Sequence, residues 1–441
     1  MSNTLIINNK IKSFKKKITV SGDKSISIRW VLFSSLANGI SRAKNLLLSE
    51  DVLASLNVIK KLGIKYKITK KECKIYGQGI NGYRYRKNIC IDAKNSGTLG
   101  RLILGFLINT SNPIRLIGDK SLSKRDFVRI SKPLSKFGAK FNLTKNKNLP
   151  LTIIGTKKPK PIEYFENKGS AQCKSSVIFG GMRTEGTTII KAKKSRNHTE
   201  LLCKYLKIPL TVKKKKNYDE IKIKKVKNIR TLNYNIPSDI SSSAFFIVLT
   251  ALSKNSELII KNVNINPSRI GIIHILRKMG VKINFKNLKI YKGEKVADIK
   301  AKSPKELKSI NCPKKFNSGA IDEFLVIFLA AARAKGISYF KGLSELNQKE
   351  SPRLEWGAKI LNKMGIKNII KNNSIKIYGN PDLKINKSIS IKNYLKDHRV
   401  FMTSVIAGLS FGGYWKIYDK DSIKTSFPNF LQIINGFKQN E

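Results

Sequence analysis

Six apolar segments of helix length recur along this chain, and they constrain its fold more than any other feature. Each follows a polar stretch that contains Ser, Asp or Asn, and these stretches begin near Asp23, Asn95, Ser170, Asp239, Ser318 and Asp397. The interval between them is 69 to 79 residues. A helix that is apolar on all sides must be buried, so the recurrence predicts repeated units that each place one helix in a shared core.

A second, amphipathic helix signal ends at a glycine in most of the repeats, as in "IKKLG", "LSKFG", "LRKMG" and "LNKMG". A glycine is a frequent residue just past a helix end. Alternating apolar and polar residues, typical of strands, follow each signal. Each repeat therefore predicts a buried helix, an amphipathic helix and short strands. Six such repeats in 441 residues fit an α/β protein of two domains with three repeats each.

The charge balance is strongly basic, with 87 Lys and Arg against 28 Asp and Glu, a net charge of +59. The lysines are spread from end to end, and the Lys-rich stretch 212–227 is typical of solvated hairpin edges. An RNA-binding repeat protein is the alternative from another functional class. It would need exposed aromatic residues for stacking, but the aromatics here lie mostly in the apolar helix segments. The composition therefore favours a protein without a nucleic-acid partner.

Five scattered cysteines without a C-x-x-C pair predict a reducing compartment and no structural zinc. No apolar run approaches the roughly 18 residues of a membrane span. The start of the chain, "MSNTLIINNKIKSFKKK", lacks the hydrophobic segment of a secretion signal. We therefore expect a cytoplasmic protein that does not interact with membranes.

The stretch "SGDKSISIR", residues 21–29, places Lys24 and Arg29 among three serines where the first apolar helix begins. A helix N-terminus has unpaired N–H groups and partial positive charge, which suit an anion such as phosphate. The stretch is not a Walker loop, since the chain contains no G-x-x-x-x-G-K-[ST]. A serine-rich helix cap with solvated charges is the alternative interpretation. If the six helices point their N-termini at one cleft, a small anionic substrate is expected there.

Eleven segments, in order, resemble the family of 5-enolpyruvylshikimate-3-phosphate synthase, also called 3-phosphoshikimate 1-carboxyvinyltransferase. The resemblance covers nearly the whole chain. The segments are "SGDKSISIR", "KNSGTLGR", "GDKSLSKR", "GSAQCKSS", "SRNHTE", "SDISSSAFF", "NPSRIG", "AIDE", "ELNQKESPR", "DHR" and "TSFP".

This resemblance implies the transfer of the enolpyruvyl group of phosphoenolpyruvate to the 5-hydroxyl of shikimate 3-phosphate, with release of phosphate. It implies two similar domains of three repeats with buried parallel helices, an arrangement described as an inside-out α/β barrel. One domain would comprise residues 1–22 plus 238–441 and the other residues 23–237, with the active site in the cleft between them. A monomer that requires neither metal nor organic cofactor is expected.

The closest enzymatic alternative is the enolpyruvyl transferase that acts on UDP-N-acetylglucosamine. That family has a reactive cysteine on a mobile loop, but the corresponding region of this chain, residues 110–130, contains none.

Residue roles also follow from the resemblance. Charge-assisted and bidentate hydrogen bonds suit phosphates and carboxylates. The residues expected to bind shikimate 3-phosphate are Lys24, Ser25, Arg29, Ser170, Ala171, Gln172, Ser195, Asp322 and Lys349. Those expected to bind phosphoenolpyruvate are Lys24, Gly97, Arg125, Gln172, Arg353 and Arg399. The expected catalytic residues are Asp322 as the base for the 5-hydroxyl, Lys349 as a bridge to the transition state and Glu350 as a proton carrier.

Structural alternatives exist for several of these residues. Asp322 fits an ordinary acidic residue at a helix start, and "KESPR" fits a solvated loop of alternating charge. Arg125 fits a surface loop, and Ser195 fits a local turn. The chain departs from the family pattern beside the expected site, at Ile28, Lys94, Asp126, Ser238, Pro352 and Lys396. Lys424 is one residue out of register with a lysine that some members use.

Overall fold

The computed structural model describes residues 3–438 and divides them into two compact units. The first unit runs to Ser21 and resumes at Pro237–Tyr291 and from Lys295 onward. The second comprises Gly22–Ile236 and Lys292–Glu294, a short return that the sequence prediction did not include. In the part of the chain described, no helix is both long and apolar enough to cross a membrane.

The chain begins with two strands of the first unit, β1 (Thr4–Ile7) and β2 (Lys15–Ile18). The second unit then forms six helices: α1 (Lys24–Ser35), α2 (Glu50–Lys61), α3 (Gly97–Phe106), α4 (Val128–Ser135), α5 (Ala171–Gly181) and α6 (His198–Tyr205). Its strands are β3 (Asn38–Lys44), β4 (Lys65–Ile68), β5 (Cys73–Gln78), β6 (Ile89–Asp92), β7 (Ile114–Ile117), β8 (Lys140–Leu143), β9 (Leu151–Ile154), β10 (Glu163–Glu166), β11 (Thr187–Lys193), β12 (Leu210–Lys214), β13 (Tyr218–Lys224) and β14 (Tyr234–Asn235).

Three four-stranded sheets of the second unit repeat one topology, in the orders β14-β3-β5-β4, β6-β7-β9-β8 and β10-β11-β13-β12. In each sheet the first two strands are parallel and the remaining pairs are antiparallel. A parallel pair requires a crossover connection, and the apolar helices α3 and α5 supply two of these crossovers. The Lys-rich stretch 212–227 forms part of the β12–β13 hairpin. The prediction of a hairpin edge is confirmed for β12, whereas β13 lies inside the sheet between β11 and β12.

The helices α1, α3 and α5 lie parallel in the core of the second unit. Near their C-terminal ends, Phe106 and Phe179 stack with ring centroids 4.1 Å apart, and Phe33 meets Phe179 edge-on at 5.3 Å. Near their N-terminal ends, Gln172 of α5 donates to Thr98 of α3 at 3.0 Å. Contacts between like ends require a common direction, so the three N-termini of this unit lie together.

Among its described residues, the first unit continues with the α-helices α7 (Ile240–Leu252), α8 (Gly271–Lys278), α9 (Asn317–Ala320), α10 (Phe324–Arg333), α11 (Arg353–Met364), α12 (His398–Phe411) and α13 (Phe430–Lys438). Its strands are β15 (Glu257–Asn264), β16 (Lys282–Tyr291), β17 (Glu294–Lys302), β18 (Ile337–Phe340), β19 (Asn368–Lys371), β20 (Ser374–Tyr378), β21 (Ser388–Ile391) and β22 (Tyr414–Tyr418). They form three sheets, β16-β17-β15-β2, β18-β20-β19 and β1-β22-β21.

The buried helices of this unit are α7, α10 and α12. Every side chain of α7 and α12 is buried, as expected of segments such as "ISSSAFFIVLTAL" that contain no charged residue. Ser241 at the start of α7 hydrogen-bonds Glu323, which immediately precedes α10. Arg333 at the end of α10 donates to the carbonyl of Ser410 near the end of α12 at 3.3 Å. These helices therefore also run in parallel.

The predicted glycine ends of the amphipathic helices are confirmed in α11, where Gly365 has a left-handed φ of 86° and closes the helix. The fifth buried helix begins later than its polar stretch suggests. Residues Asn317–Ala320 form the separate short helix α9, and α10 starts only at Phe324. Asp322 therefore lies in the turn before α10 rather than in its first turn.

Candidate active site

The start of α1 presents the two cations of "SGDKSISIR". Asp23 caps the helix by accepting the N–H of Ile26 at 2.9 Å. Lys24 follows it and forms an ion pair of 3.1 Å with Asp51, at the start of α2. Arg29 is buried, and its Nε donates to Thr199 of α6 at 2.8 Å. Neighbouring helices therefore fix both cationic side chains.

Burial has an electrostatic consequence for Arg29. Its Nη1 also donates to the carbonyl of Ser25 at 3.1 Å, and its Nη2 donates to Ser175 of α5 at 3.3 Å. Removal from water lowers the pKa of Arg29 to about 10, although nearby carboxylates oppose the shift. The group keeps its charge at neutral pH.

The start of α3 brings Gly97 against Arg125. An ideal Cβ added to Gly97 would lie only 2.9 Å from Nη1 of Arg125, so a hydrogen at this position is what allows the guanidinium to approach. Arg101, one turn further along α3, is half-buried. This burial, together with the charges of Arg129 and Arg125, lowers the pKa of Arg101 to about 10. The guanidinium groups of Arg125 and Arg101 therefore both lie beside the start of α3.

The start of α5 is tied to the start of α3 through Gln172. Its Oε1 accepts from Nη1 of Arg101 at 2.5 Å, while its Nε2 donates to Thr98. Ser170 caps α5 by accepting the N–H of Cys173 at 3.3 Å. The Oγ of Ser195 is shielded from solvent and has no hydrogen-bond partner within the described residues 3–438. The local-turn hydrogen bond, which was the alternative interpretation of Ser195, is therefore not made.

The second group of predicted residues lies in the first unit. Lys349 Nζ lies 3.1 Å and Arg353 Nη1 lies 3.3 Å from the same oxygen, Oδ1 of Asp322. Nη2 of Arg353 pairs with Glu350 at 2.5 Å. Ion pairs therefore link the three expected catalytic residues, Lys349, Asp322 and Glu350, through Asp322 and Arg353.

Arg353 is the centre of this group and is almost completely buried. Its Nε donates to Oδ2 of Asp397 at 2.8 Å, and Asp397 also caps α12 by accepting the N–H of Arg399 at 2.9 Å. Burial by itself would lower the pKa of Arg353, but the facing carboxylates of Asp397, Glu350 and Asp322 raise it above its usual value. Burial would likewise raise the pKa of Asp397, yet Arg353 holds it below the usual range. Both groups are charged across the neutral range.

Arg399 is placed by the starts of two other buried helices. Its Nη1 donates to the carbonyl of Ser241 at 3.4 Å and lies 3.9 Å from Oε1 of Glu323. His398, beside it, contacts Thr425 at 3.2 Å between Nδ1 and Oγ1. Lys424 is exposed and pairs with Asp421 at 3.0 Å. Arg399 is therefore held at the starts of the buried helices, whereas Lys424, to which the sequence could not assign a role, is paired with another surface residue.

Sequence reasoning missed several members of these networks. Arg101 lies inside the quoted "KNSGTLGR", and Asp397 lies inside "DHR", so both were visible as charged residues beside assigned ones. Arg269 likewise lies inside the quoted "NPSRIG", although no role was assigned to it. Asp51 carried no signal, because its partner Lys24 is distant in sequence. Arg269 is buried and donates to Ser241 at 2.8 Å.

The fold of the described chain is that of an enolpyruvyl transferase. The solved structure of the enolpyruvyl transferase NikO from Streptomyces tendae is similar with a TM-score of 0.77 at 12% sequence identity, covering 99% of this chain and 98% of that one. The EPSP synthase from Acinetobacter baumannii is similar with a TM-score of 0.86 at 34% identity, covering 98% of both chains.

Sequence comparison narrows this class to one family. The family model for EPSP synthase (3-phosphoshikimate 1-carboxyvinyltransferase) matches residues 8–434. A 3-phosphoshikimate 1-carboxyvinyltransferase from Ruthia magnifica subsp. Calyptogena magnifica is 38% identical over 96% of this chain and 95% of its own length. One of the same name from Caldicellulosiruptor saccharolyticus is 37% identical over 96% and 97%. The chain belongs to the EPSP synthase family, which confirms the resemblance.

Proposed function

We propose that this protein transfers the enolpyruvyl group of phosphoenolpyruvate to the 5-hydroxyl of shikimate 3-phosphate and releases phosphate. The observation that carries the proposal is its membership of the EPSP synthase family over residues 8–434. The reaction belongs to the shikimate pathway, which leads to chorismate and the aromatic amino acids. Within the second unit, the joined starts of α1, α3 and α5 supply cations and helix N–H groups for anionic substrates.

Shikimate 3-phosphate is proposed to bind mainly through the second unit. Its phosphate would be held by Ser170, the backbone of Ala171, Gln172 and Ser195. Ser195 supports this role because its shielded Oγ makes no hydrogen bond to any residue in the described range 3–438. Lys24, Ser25 and Arg29 would hold the remaining polar groups; the buried Arg29 is already oriented by Thr199 and Ser175.

Phosphoenolpyruvate is proposed to bind through cations of both units. Gly97 and Arg125 would meet one end of the molecule, because the lack of a side chain at Gly97 lets the guanidinium lie over the start of α3. Arg353 and Arg399 would act at its carboxylate and phosphate, with Lys24 and Gln172 between the two substrates. Preorganised donors of this kind stabilise charge that develops in the transition state.

Proton transfer is assigned to the carboxylates of the first unit. Asp322 would accept the proton of the attacking 5-hydroxyl, and Glu350 would deliver a proton to the methylene carbon of the enol. Lys349 would bridge the substrate and the transition state, and its ammonium group lies 3.1 Å from Asp322. Phosphate then leaves from the tetrahedral intermediate as its C–O bond breaks and the methyl group gives up a proton, which restores the vinyl double bond. Addition and elimination of this kind are carried by acid–base groups and fixed charges, so the proposal includes no metal or organic cofactor.

The proposal also includes the domain organisation expected from the sequence. The active site would form in a cleft when residues 23–237 close against the remainder of the chain, excluding water and aligning the two substrates. The enzyme would act as a monomer. A cytoplasmic location is supported by the five cysteines, all of which are free.

A phosphate-release assay tests the function directly. The purified protein is mixed with shikimate 3-phosphate and phosphoenolpyruvate, and phosphate is measured over time. Release is expected with both substrates and not when either is omitted or when UDP-N-acetylglucosamine replaces shikimate 3-phosphate. Failure of the folded protein to release phosphate with both substrates present would contradict the proposal.

A further inference from the structure

A buried carboxylate lies directly ahead of the proposed phosphate-binding turn. Glu166 is the last residue of β10 and is only 2% exposed. Its Oε1 accepts the N–H of Lys168 at 3.1 Å, and its Oε2 accepts the N–H of Ser170 at 2.8 Å. The backbone N–H of Gly169 also stabilises this carboxylate. One side chain therefore accepts hydrogen bonds from two amides of the turn, those of Lys168 and Ser170, and lies close to the amide of Gly169 between them.

This arrangement determines which N–H groups are left at the start of α5. The N–H of Cys173 is taken by the Oγ of Ser170, and the N–H of Ser170 is taken by Glu166. The first N–H groups of a helix have no acceptor within the helix. The N–H groups of Ala171 and Gln172 are therefore the ones that remain for an anion at the start of α5.

The charge of Glu166 is unfavourable for an anion at this place, because a carboxylate repels a phosphate. Burial raises the pKa of Glu166, opposed by the three backbone N–H groups and by Arg129 of α4. The other titratable groups near it are Tyr164, on the same strand, and Cys173, which lies near Tyr164. A buried carboxylate with an unfavourable charge contributes to an anion site only through the geometry that it imposes.

We propose that Glu166 is a positioning residue that sets the turn 167–170 so that the N–H groups of Ala171 and Gln172 bind the phosphate of shikimate 3-phosphate. This inference rests on the proposed function. The side chain of Gln172 is fixed separately by Arg101 and Thr98. Loss of the carboxylate should therefore affect shikimate 3-phosphate much more than phosphoenolpyruvate.

The test is the substitution Glu166→Gln, which replaces one accepting oxygen by an NH₂ group that faces a backbone N–H. We expect the KM for shikimate 3-phosphate at pH 8 to rise about tenfold, as is typical for the loss of one hydrogen bond to a charged group. The KM for phosphoenolpyruvate and kcat should change less than about threefold, since their determinants are elsewhere. A KM that rises equally for both substrates would overturn the inference.

A pH series separates positioning from a general structural role. Because burial raises the pKa of Glu166, a growing fraction of the wild type is protonated as the pH falls from 8 to 5, and protonation imitates the substitution. The ratio of the KM for shikimate 3-phosphate in Glu166→Gln to that in the wild type should therefore fall with pH. The ionisation of the substrate phosphate itself cancels in this ratio. A ratio that stays constant with pH would overturn the inference.

Glu185→Gln is the matched control. Glu185 lies beyond the opposite end of α5, is exposed and pairs with Lys225, so the same chemical change there should leave both KM values unchanged. Glu166→Asp, which keeps the charge but shortens the side chain, replaces Glu166→Gln if the latter does not fold. Glu166→Asp should raise the KM for shikimate 3-phosphate less than Glu166→Gln does, and this KM should keep the pH dependence that it has in the wild type. An unchanged KM in Glu166→Asp would overturn the inference.

The design also separates the two proposals. If the wild type does not release phosphate, the proposed function and this inference both fail. If the wild type turns over normally and Glu166→Gln behaves like Glu185→Gln, only the inference fails.

Discussion

At the scale of single residues, the charged side chains of both units are held in place by contacts that the chain itself supplies. Arg29 and Arg353 are nearly fully buried, and their guanidinium nitrogens donate to hydroxyl, carbonyl and carboxylate oxygens of the surrounding residues. Long side chains lose considerable conformational entropy when they are fixed. Fixing them during folding means that substrate binding does not have to meet this entropic cost.

Asp322→Asn tests the proposed base. Asn has nearly the same shape, so shikimate 3-phosphate binding by calorimetry should be retained, while turnover should fall about 10²–10⁴-fold, the usual contribution of a general acid–base group. A carboxylate that only stabilises a helix start is worth about 0.3–1 kcal/mol and would leave turnover nearly normal. Asp421→Asn, an exposed acid paired with Lys424, is the control. Turnover within a few-fold of the wild type would show that Asp322 is not the base.

Gly97→Ala tests the close approach of Arg125. The added methyl group would lie 2.9 Å from Nη1 of Arg125 and must displace it. We expect the KM for phosphoenolpyruvate to rise about tenfold or more, as for the weakening of a charged hydrogen bond, while the KM for shikimate 3-phosphate changes little. Gly436→Ala in α13, where nothing lies within 4 Å of the new methyl group, is the control. Equal effects of the two substitutions on phosphoenolpyruvate would contradict this role.

At the scale of elements, each unit buries three parallel helices whose aligned dipoles repel one another. Polar caps such as Asp23, Ser96 and Ser170 satisfy N–H groups at the starts in the second unit. At the opposite ends lie arginines: Arg183, two residues beyond α5, and Arg333, the last residue of α10. Cations at helix C-termini are stabilising, so the two arginines offset part of the repulsion.

The aromatic cluster of α1, α3 and α5 should be essential for the second unit. We expect Phe106→Ala to lower the free energy of unfolding by about 3–5 kcal/mol, the usual cost of truncating a buried Phe. Chemical denaturation measures this loss. Phe165, which is 55% exposed on β10, is the control, because surface substitutions usually stay within about 0.5 kcal/mol. Similar losses for the two variants would contradict the role of the cluster.

The ion pair between α11 and α12 gives a prediction for pH. The lowered pKa of Asp397 means that its contribution to stability is present above the unfolded pKa of about 3.9 and is lost only as the pH falls through its lower folded value. Arg353→Ala removes the cation from buried carboxylates and should cost about 3–5 kcal/mol at pH 7. Burial then raises the pKa of Asp397, so the deficit should shrink as the pH falls from 7 to 5.

Thermal unfolding of wild type and Arg353→Ala at both pH values checks this prediction. The double variant Arg353→Ala/Asp397→Asn is the control, because it also removes the most deeply buried of the carboxylates. It should show a smaller deficit and a weaker pH dependence. A deficit for Arg353→Ala that is equal at pH 5 and pH 7 would argue against the pair as the source of the stability.

The repeated helices could be predicted because their signal is local. An uncharged segment such as "ISSSAFFIVLTAL" must be buried wherever it lies in the chain. A glycine such as Gly365 at the end of an amphipathic segment indicates by itself where the helix ends. The fold class and the family predicted from the sequence are confirmed. The late start of α10 was missed, because the pattern of apolar residues does not show that Asn317–Ala320 forms a separate one-turn helix.

The contacts of the site could not be predicted, because they join residues that are distant along the chain. Arg353 pairs with Asp322 and Asp397, and both partners are too far away along the chain for helix or strand periodicity to indicate the contacts. Glu166 had no signal at all, since its partners are backbone groups. The domain boundaries and the roles of the substrate-binding residues stay predictions.

At the scale of the whole molecule, the net charge of +59 must destabilise the compact state through self-repulsion. We expect the thermal midpoint to rise as NaCl increases from about 0.01 M to 0.1 M, because the screening length falls from about 30 Å to about 10 Å. At pH 10, close to the pI of about 10.2, the rise should be smaller because less net charge is left to screen. A midpoint that does not respond to salt at neutral pH would contradict this expectation.

The insertion of the second unit into the first sets an order on synthesis at the ribosome. Strand β1 pairs with β22, so Leu5 must wait for Ile417 before its sheet can form. All of Gly22–Ile236 leaves the ribosome in between and can fold at once. At about 5–20 residues per second, the first strands stay unpaired for tens of seconds, with three consecutive lysines in β2 to discourage association with other nascent chains. The first unit is therefore completed only when translation of the chain is nearly finished.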